Sequence, residues 1–219
     1  MSAPRLILAA ASSAASVLVL AASADAATIA TSPCVRTLDG QGTVPITGTG
    51  FTPGSSVSLR SDPAGVFTSA VADAAGNFTT TSSTPSFNPF SRQLQTFTLG
   101  ATDTVNPALT AATTYQQVRV GYTTNPSSGP PTSVVTHTVR GFVPGKNIWL
   151  HFRFGGKTQR NVKVGKADSP CGIASKRMRL LPTRSRVGLW TVYVDQSSSF
   201  SLTTRPQLKY GLRIRRVFG

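Results

Sequence analysis

The strongest constraint on this chain is a five-residue pattern that occurs twice. Gly50-Phe51-Thr52-Pro53-Gly54 returns 91 residues later as Gly141-Phe142-Val143-Pro144-Gly145. Each copy leads into an alternating run, Ser56-Val57-Ser58-Leu59 after the first and Asn147-Ile148-Trp149-Leu150 after the second. Pro presets a turn dihedral and Gly tolerates positive φ, so each copy reads as a turn. An apolar residue at every second position then marks a half-buried strand. A period of 91 residues suits one antiparallel sandwich of roughly 100 residues, and two copies are too few for a solenoid.

The remaining sequence agrees. In the first unit, alternating runs occupy Thr43 to Thr49, Ser56 to Arg60, Val66 to Ala72, Asn77 to Thr81, Gln95 to Thr102 and Leu109 to Val118. Thr52-Pro53-Gly54, Asp62-Pro63-Ala64-Gly65 and Asp73 to Asn77 supply turns between them. Thr96-Phe97-Thr98-Leu99 has its echo in Leu189-Trp190-Thr191-Val192. The chain contains no Glu, only 13% charged residues, 19 Gly and 15 Pro, which leaves little material for long helices. Tyr122 to Thr132, rich in Pro, Ser and Gly, is the opening edge and turn of the second unit or a longer linker.

Ile46-Thr47-Gly48-Thr49-Gly50-Phe51-Thr52-Pro53-Gly54, followed by Val57-Ser58-Leu59 and Asp73 to Phe78, resembles the early strands of bacterial immunoglobulin-like surface domains. The IPT/TIG-like modules are among them. The likeness covers the first unit well and the second in part. It implies an all-β chain of two tandem immunoglobulin-like sandwiches, residues 27–119 and 120–219, with turn glycines and an inward Phe. It carries no catalytic residue to transfer. The pairing with a basic second unit and the segment Ser169-Pro170-Cys171-Gly172 also resembles small exported two-domain proteins of Arg-rich, high-GC bacteria.

Residues 1–26 read as a secretory signal peptide. Arg5 supplies the positive start, Leu6 to Ala22 the uncharged apolar stretch, and Ala24-Asp25-Ala26 small residues before a cleavage at Ala27. The alternative is an uncleaved membrane anchor. Two cysteines in an exported chain suggest a disulfide, Cys34 to Cys171, stapling the two units. Its rivals are two free thiols or a nucleophilic Cys171.

Net charge is confined to one half. Lys and Arg total 22 against seven Asp, giving a net charge of +15. Residues 1–135 hold five Arg and five Asp, so the whole excess lies in residues 136–219, with seventeen basic residues against Asp168 and Asp195. Strand parity gives directions. Ile148, Leu150, Phe152 and Phe154 point inward, leaving Trp149, His151 and Arg153 on the other face. Trp190, Val192 and Val194 point inward and Tyr193 outward. Leu208, Tyr210, Leu212 and Ile214 point inward, leaving Lys209, Arg213 and Arg215 outward. Met178 and Leu180 point inward, leaving Arg177 and Arg179 outward. Phe154-Gly155-Gly156-Lys157 makes a hairpin whose return strand carries Arg160, Lys163 and Lys166.

This pattern yields a candidate polyanion-binding face. Arg153, Arg177, Arg179, Arg213 and Arg215 supply charge-paired hydrogen bonds, and Trp149 and Tyr193 supply stacking surfaces. The competing reading is solvation and protection of edge strands, with Trp149 packed under a loop.

Catalytic constellations are absent. There is no Gly-x-Ser-x-Gly, Gly48-Thr49-Gly50 lacks the third Gly of a dinucleotide fingerprint, and Gly155-Gly156-Lys157-Thr158 lacks Walker A spacing. His137 and His151 have no further ligand at metal-binding spacing. No cofactor is implied. A Cys171–His pair is the one nucleophile–base combination that can be drawn, but the His-Gly-Cys context of cell-wall transpeptidases is missing. The expectation is an exported, envelope-associated, non-catalytic protein binding wall polymer, acidic polysaccharide or, without sequence preference, extracellular nucleic acid. A structural or adhesion module binding a surface protein is the alternative, and a Cys-dependent cell-wall enzyme a remote one.

Overall fold

A computed structural model describes residues 26–38, 42–88, 91–182, 184 and 186–215. The signal-peptide reading falls on residues that lie, up to position 25, outside this set. Among the described residues fifteen strands form four sheets and there is no helix.

The first two sheets use the chain up to Arg119. β1 (Thr28–Thr31), β3 (Thr43–Thr49) and β6 (Phe78–Ser83) form a three-stranded sheet in the order β1-β3-β6. β2 (Cys34–Thr37), β4 (Ser56–Asp62), β5 (Val66–Val71), β7 (Leu94–Asp103) and β8 (Thr110–Arg119) form a five-stranded sheet in the order β2-β8-β7-β4-β5. The leading segment therefore switches sheets, pairing antiparallel with β3 through β1 and parallel with β8 through β2. Alternation seals the core: Val44 and Ile46 from one sheet meet Val57, Leu59, Phe97, Leu99 and Tyr115 from the other.

The second pair repeats the plan. β9 (Gly121–Asn125), β10 (Val134–Arg140) and β13 (Ala174–Arg179) form a three-stranded sheet in the order β13-β10-β9. β11 (Asn147–Phe154), β12 (Lys157–Lys166), β14 (Gly188–Asp195) and β15 (Leu208–Ile214) form a four-stranded sheet in the order β12-β11-β14-β15. Both pairs have the strand arrangement of immunoglobulin-like sandwiches, in which the first, second and fifth main strands face the third, sixth and seventh. Tyr122 belongs to a strand, so the segment after Val120 begins as an edge of the second sandwich, with the Pro-rich turn after it. The second core contains Val139, Phe142, Ile148, Leu150, Phe152, Trp190, Val192 and Val194, in agreement with the parity of β11 and β14.

The twice-occurring turn has the same construction in both units. The Phe51 N–H donates to Gly76 O at 3.1 Å, and the Phe142 N–H to Gly172 O at 3.2 Å. The Gly54 N–H donates to Ala72 O at 3.0 Å, and the Gly145 N–H to Ala167 O at 2.8 Å. Each Phe backbone is thereby bonded to a second turn, the one that leads into the neighbouring strand of the same sheet, β6 or β13.

Cys34 and Cys171 are bonded, with Cα atoms 5.3 Å apart and a separation of 137 positions in sequence. The bridge links β2 to the turn before β13. The Val120 N–H also donates to Thr37 O at 2.9 Å, and the Gly141 N–H to Cys171 O at 3.1 Å. The connection between the two sandwiches is thus covalent in two places: the chain at Val120 and the disulfide.

Candidate functional site

The seven residues expected to form one face are divided between two sheets. Trp149, Arg153, Tyr193 and Arg213 lie on the four-stranded sheet, where Trp149 pairs with Asp195, Arg153 with Thr191, Tyr193 with Lys209 and Arg213 with Leu189. Arg215 follows β15 directly and is exposed. Arg177 and Arg179 lie on the opposite sheet, paired with Thr136 and Val134. The two outer faces of a sandwich point away from each other, so these residues make two groups.

The group on the four-stranded sheet is partly covered. The segment between β14 and β15 folds back over it and lays Phe200 across Arg153 and Tyr193. The Arg153 guanidinium carbon lies 4.1 Å from the Phe200 ring centre, and the Tyr193 and Phe200 ring centres are 4.9 Å apart. Arg153 also donates to Gly156 O. Tyr193 therefore offers one side of its ring to Phe200, with Lys209 Nζ 6.0 Å from the ring centre.

Beneath Phe200 lies a polar network that parity alone did not reveal. His151 is on the outer face, as its alternation requires, yet it is fully buried. Its Nε2 is 3.0 Å from Asp195 Oδ1 and its Nδ1 is 2.9 Å from Asn161 Oδ1. Asn161 Nδ2 donates to Ser198 O at 3.3 Å, which fixes the amide with its oxygen toward the ring. Asp195 also accepts the Ser197 N–H at 2.8 Å and Gln207 Nε2 at 2.9 Å. Both imidazole nitrogens are thus engaged by side-chain oxygens. With both nitrogens engaged, the ring is a structural post for the covering loop and has no free lone pair for a substrate.

Asp103, at the corresponding end of β7, holds its own loop. It accepts the Thr52 N–H and Ser55 hydroxyl on one oxygen and the Val105 and Asn106 N–H groups on the other. Burial pushes its pKa up, but the hydrogen bonds from Asn106, Thr52, Val105 and Ser55 outweigh it and hold the carboxyl well below the usual range.

His137 is buried inside the second core. Its Nδ1 accepts from the Tyr122 hydroxyl at 2.7 Å, and its Nε2 donates to Arg179 O at 3.2 Å. Burial lowers its pKa against the opposing effect of the Arg179 carbonyl, so this ring is held neutral. Cys171 is in the disulfide, which removes the thiolate on which a Cys–His enzyme would depend. Among the described residues no three His, Cys, Asp or Glu side chains gather as metal ligands.

A denser basic region lies where the edges of the two sheets approach, at β12 and β13. Lys157, Arg160, Lys163 and Lys166 are exposed along β12, and Lys176, Arg177 and Arg179 along β13. Lys176 Nζ spans the gap and donates to Lys163 O at 2.8 Å. Burial of Asp195 leaves Asp168 as the one exposed carboxylate among the described residues of the second sandwich. No Lys or Arg of its described residues forms an ion pair with a carboxylate, whereas the first sandwich pairs Arg60 with Asp62 at 2.8 Å. The recurrence of a cation at every third residue from Lys157 to Lys166 was the sequence signal for this edge. Its meeting with β13 was not, because it depends on strand order.

No protein-family model matches the chain, and no curated protein matches it by sequence. Among solved structures, it is similar to a tetra-tandem repeat in the extending region of a large adhesion protein, at 16% identity and a TM-score of 0.30. That match covers 85% of this chain and 47% of the other. A second match is the secreted serine protease VesC from Vibrio cholerae, at 7% identity and a TM-score of 0.30, covering 70% of this chain and 44% of the protease. The chain spans about half the length of each, and scores this low carry no functional argument.

Proposed function

We propose that this is an exported, envelope-associated, non-catalytic protein of two domains, residues 27–119 and 120–219, whose second domain binds an anionic polymer. Wall polymer or acidic polysaccharide is the favoured ligand class, and extracellular nucleic acid binds without sequence preference. The disulfide suits the oxidising compartment that an N-terminal export signal leads to. The reading rests chiefly on one observation: a sandwich with fifteen exposed or half-exposed Lys and Arg side chains and a single exposed carboxylate among its described residues. Solvation needs no such imbalance, since mixed charge serves equally well. Unpaired cations along neighbouring strands suit multivalent contact with repeated phosphate or carboxylate groups.

The β12–β13 edge is the proposed contact, with Arg213 and Arg215 as a separate and weaker group. Co-sedimentation of the disulfide-bonded protein with isolated cell envelope across a salt series tests it. Binding is expected to fall log-linearly with salt. Replacing Lys157, Arg160, Lys163 and Lys166 by Gln lowers the slope by roughly one for each lost contact. Arg213→Gln with Arg215→Gln changes it less. Absence of binding at low salt overturns the reading, and salt-independent binding supports the adhesion alternative, in which the partner is a protein.

A further inference from the structure

The two sandwiches differ at the edge beside their last strand. In the first, β8 lies between two strands, β7 on one side and β2 on the other. β2 runs parallel to β8, with Cys34, Val35 and Arg36 opposite Gln116, Gln117 and Val118. Its Val35 is buried in the core and its Arg36 is exposed. In the second sandwich β15 takes the place of β8 and ends its sheet, with β14 as its one strand partner among the described residues. Every second residue of such an edge strand points its N–H and C=O sideways, away from the sheet.

The repeat locates the uncovered stretch. Leu99 and Val192 end the two echoing segments, and they pair with Thr113 and Tyr210. Gln116 to Val118, which β2 covers, therefore correspond to Arg213 to Arg215. The chain after β9 cannot supply the matching strand. It reads Pro126-Ser127-Ser128-Gly129-Pro130-Pro131, and its three prolines have no N–H to give to a ladder. The Pro130 and Pro131 carbonyls instead accept the Ser133 and Leu181 N–H groups. What remains is a depression of about 600 Å³ lined by Gly129, Pro130, Pro131, Arg213, Ile214 and Arg215. Next along β15, a cleft of about 150 Å³ walled by Tyr122, Tyr210 and Leu212 reaches the core side chains Leu180 and Val192.

Charge selects the occupant. Lys209, Arg213 and Arg215 are exposed on the outer face, while Leu208, Tyr210, Leu212 and Ile214 point inward. A second copy adding its own β15 would set these cations against each other, which is destabilising. An acidic segment with an aliphatic residue at every second position sets its carboxylates beside the cations and its aliphatic side chains over the depression and cleft. We propose that the outer edge of β15, from Tyr210 to Arg215, accepts an extended acidic segment of a partner protein as an added strand, in the place that β2 takes in the first sandwich. This edge lies across the sandwich from β12 and β13, so the inference does not rest on the polymer-binding reading.

The probe is the peptide acetyl-Asp-Val-Asp-Val-Asp-Val-Asp-amide, titrated into the disulfide-bonded, ¹⁵N-labelled protein at fixed ionic strength. Its control, acetyl-Asp-Asp-Val-Val-Val-Asp-Asp-amide, has the same charge without the alternation. The alternating peptide is expected to shift the β15 amides saturably and to slow hydrogen exchange at alternate β15 residues. The blocked peptide binds weaker by about tenfold or more. Arg213→Glu with Arg215→Glu weakens the acidic peptide by a similar factor and favours acetyl-Lys-Val-Lys-Val-Lys-Val-Lys-amide instead. Replacing Lys157, Arg160, Lys163 and Lys166 by Gln leaves peptide binding unchanged, which separates this edge from the polymer-binding one. Equal binding of the two acidic peptides, no saturation, or saturation without slowed β15 exchange overturns the proposal. So does a free protein whose outward β15 amides are already protected, whether by a second copy or by its own chain.

Discussion

His151 Nε2 lies 3.0 Å from Asp195 Oδ1, and neither side chain reaches solvent. The pair is on the outer face of its sheet and owes its burial to the covering loop that carries Phe200, whose ring centre is 5.7 Å from that of His151. Removing one member leaves the other buried with unmet hydrogen bonds. Asp195→Ala should therefore destabilise the second sandwich by about 3–5 kcal/mol, far beyond an ordinary surface substitution. The loss also frees the Ser197 N–H and Gln207 Nε2, so the loop opens with it. Urea denaturation measures the cost, and an unchanged midpoint would show that the pair does not hold the loop.

The network also marks where sequence reasoning stopped. Alternation in Ile148 to Phe154 and Trp190 to Val194 correctly assigned the core side of β11 and β14, because period-2 patterning is a local property. It also placed His151 opposite the core. What buries His151 is Phe200, standing in a Ser-rich stretch with no periodicity, so nothing local linked the two. The division of Arg177 and Arg179 from Arg153 and Arg213 was hidden for a similar reason. Parity says inward or outward, while the choice of sheet depends on non-local strand order. The short strands β1 and β2 went unread because four residues give too little alternation. The disulfide was legible as one option from export and cysteine count, and the fold decided it by bringing the two Cα atoms within bonding reach.

Gly172 and Gly76 offer a second test, since both repeat copies depend on close backbone approach. Gly172 has φ of 63° and Gly76 of 78°, and a Cβ on either would run into the carbonyl oxygen of Phe142 or Phe51. Gly145 has φ of 81°, but a Cβ there would meet nothing nearer than Lys166 Cε at 4.0 Å. Gly145→Ala should cost about 1–2 kcal/mol for left-handed backbone alone. Gly172→Ala, with strain and collision together, should cost at least about 3 kcal/mol. Equal losses in chemical denaturation would contradict the repeat's shared construction.

The His137 environment fixes the sign of a pH effect. Its folded pKa is depressed by burial, while the unfolded chain titrates near the ordinary value of about 6.5. Between those values the unfolded state binds more protons, so stability rises with pH there. The contribution is complete above about pH 6.5 and is lost as pH falls toward the folded pKa. Protonation also sets an Nδ1 proton against the Tyr122 hydroxyl that now donates to it. His137→Asn should flatten the stability profile between about pH 7 and 5, whatever it does to stability at neutral pH. A variant profile as steep as the parent's would assign the slope to another group. Asp103 acts in a lower window, below about pH 4, where a depressed carboxyl loses its contribution as it is protonated.

The disulfide provides the last prediction. Closing 137 residues removes much of the unfolded chain's freedom, on the order of 5 kcal/mol by the chain-entropy argument, which is a ceiling. Each sandwich keeps its own core, however, so replacing Cys34 and Cys171 by Ser should loosen the junction before either core. The reporter is the Val120 N–H, which donates to Thr37 O beside the bridge. Its hydrogen exchange should accelerate in the Cys34→Ser, Cys171→Ser variant, while buried amides of β7 and β14 keep their protection under native conditions. Uniform acceleration across both cores would mean that the bridge holds the sandwiches themselves together, and not only their connection.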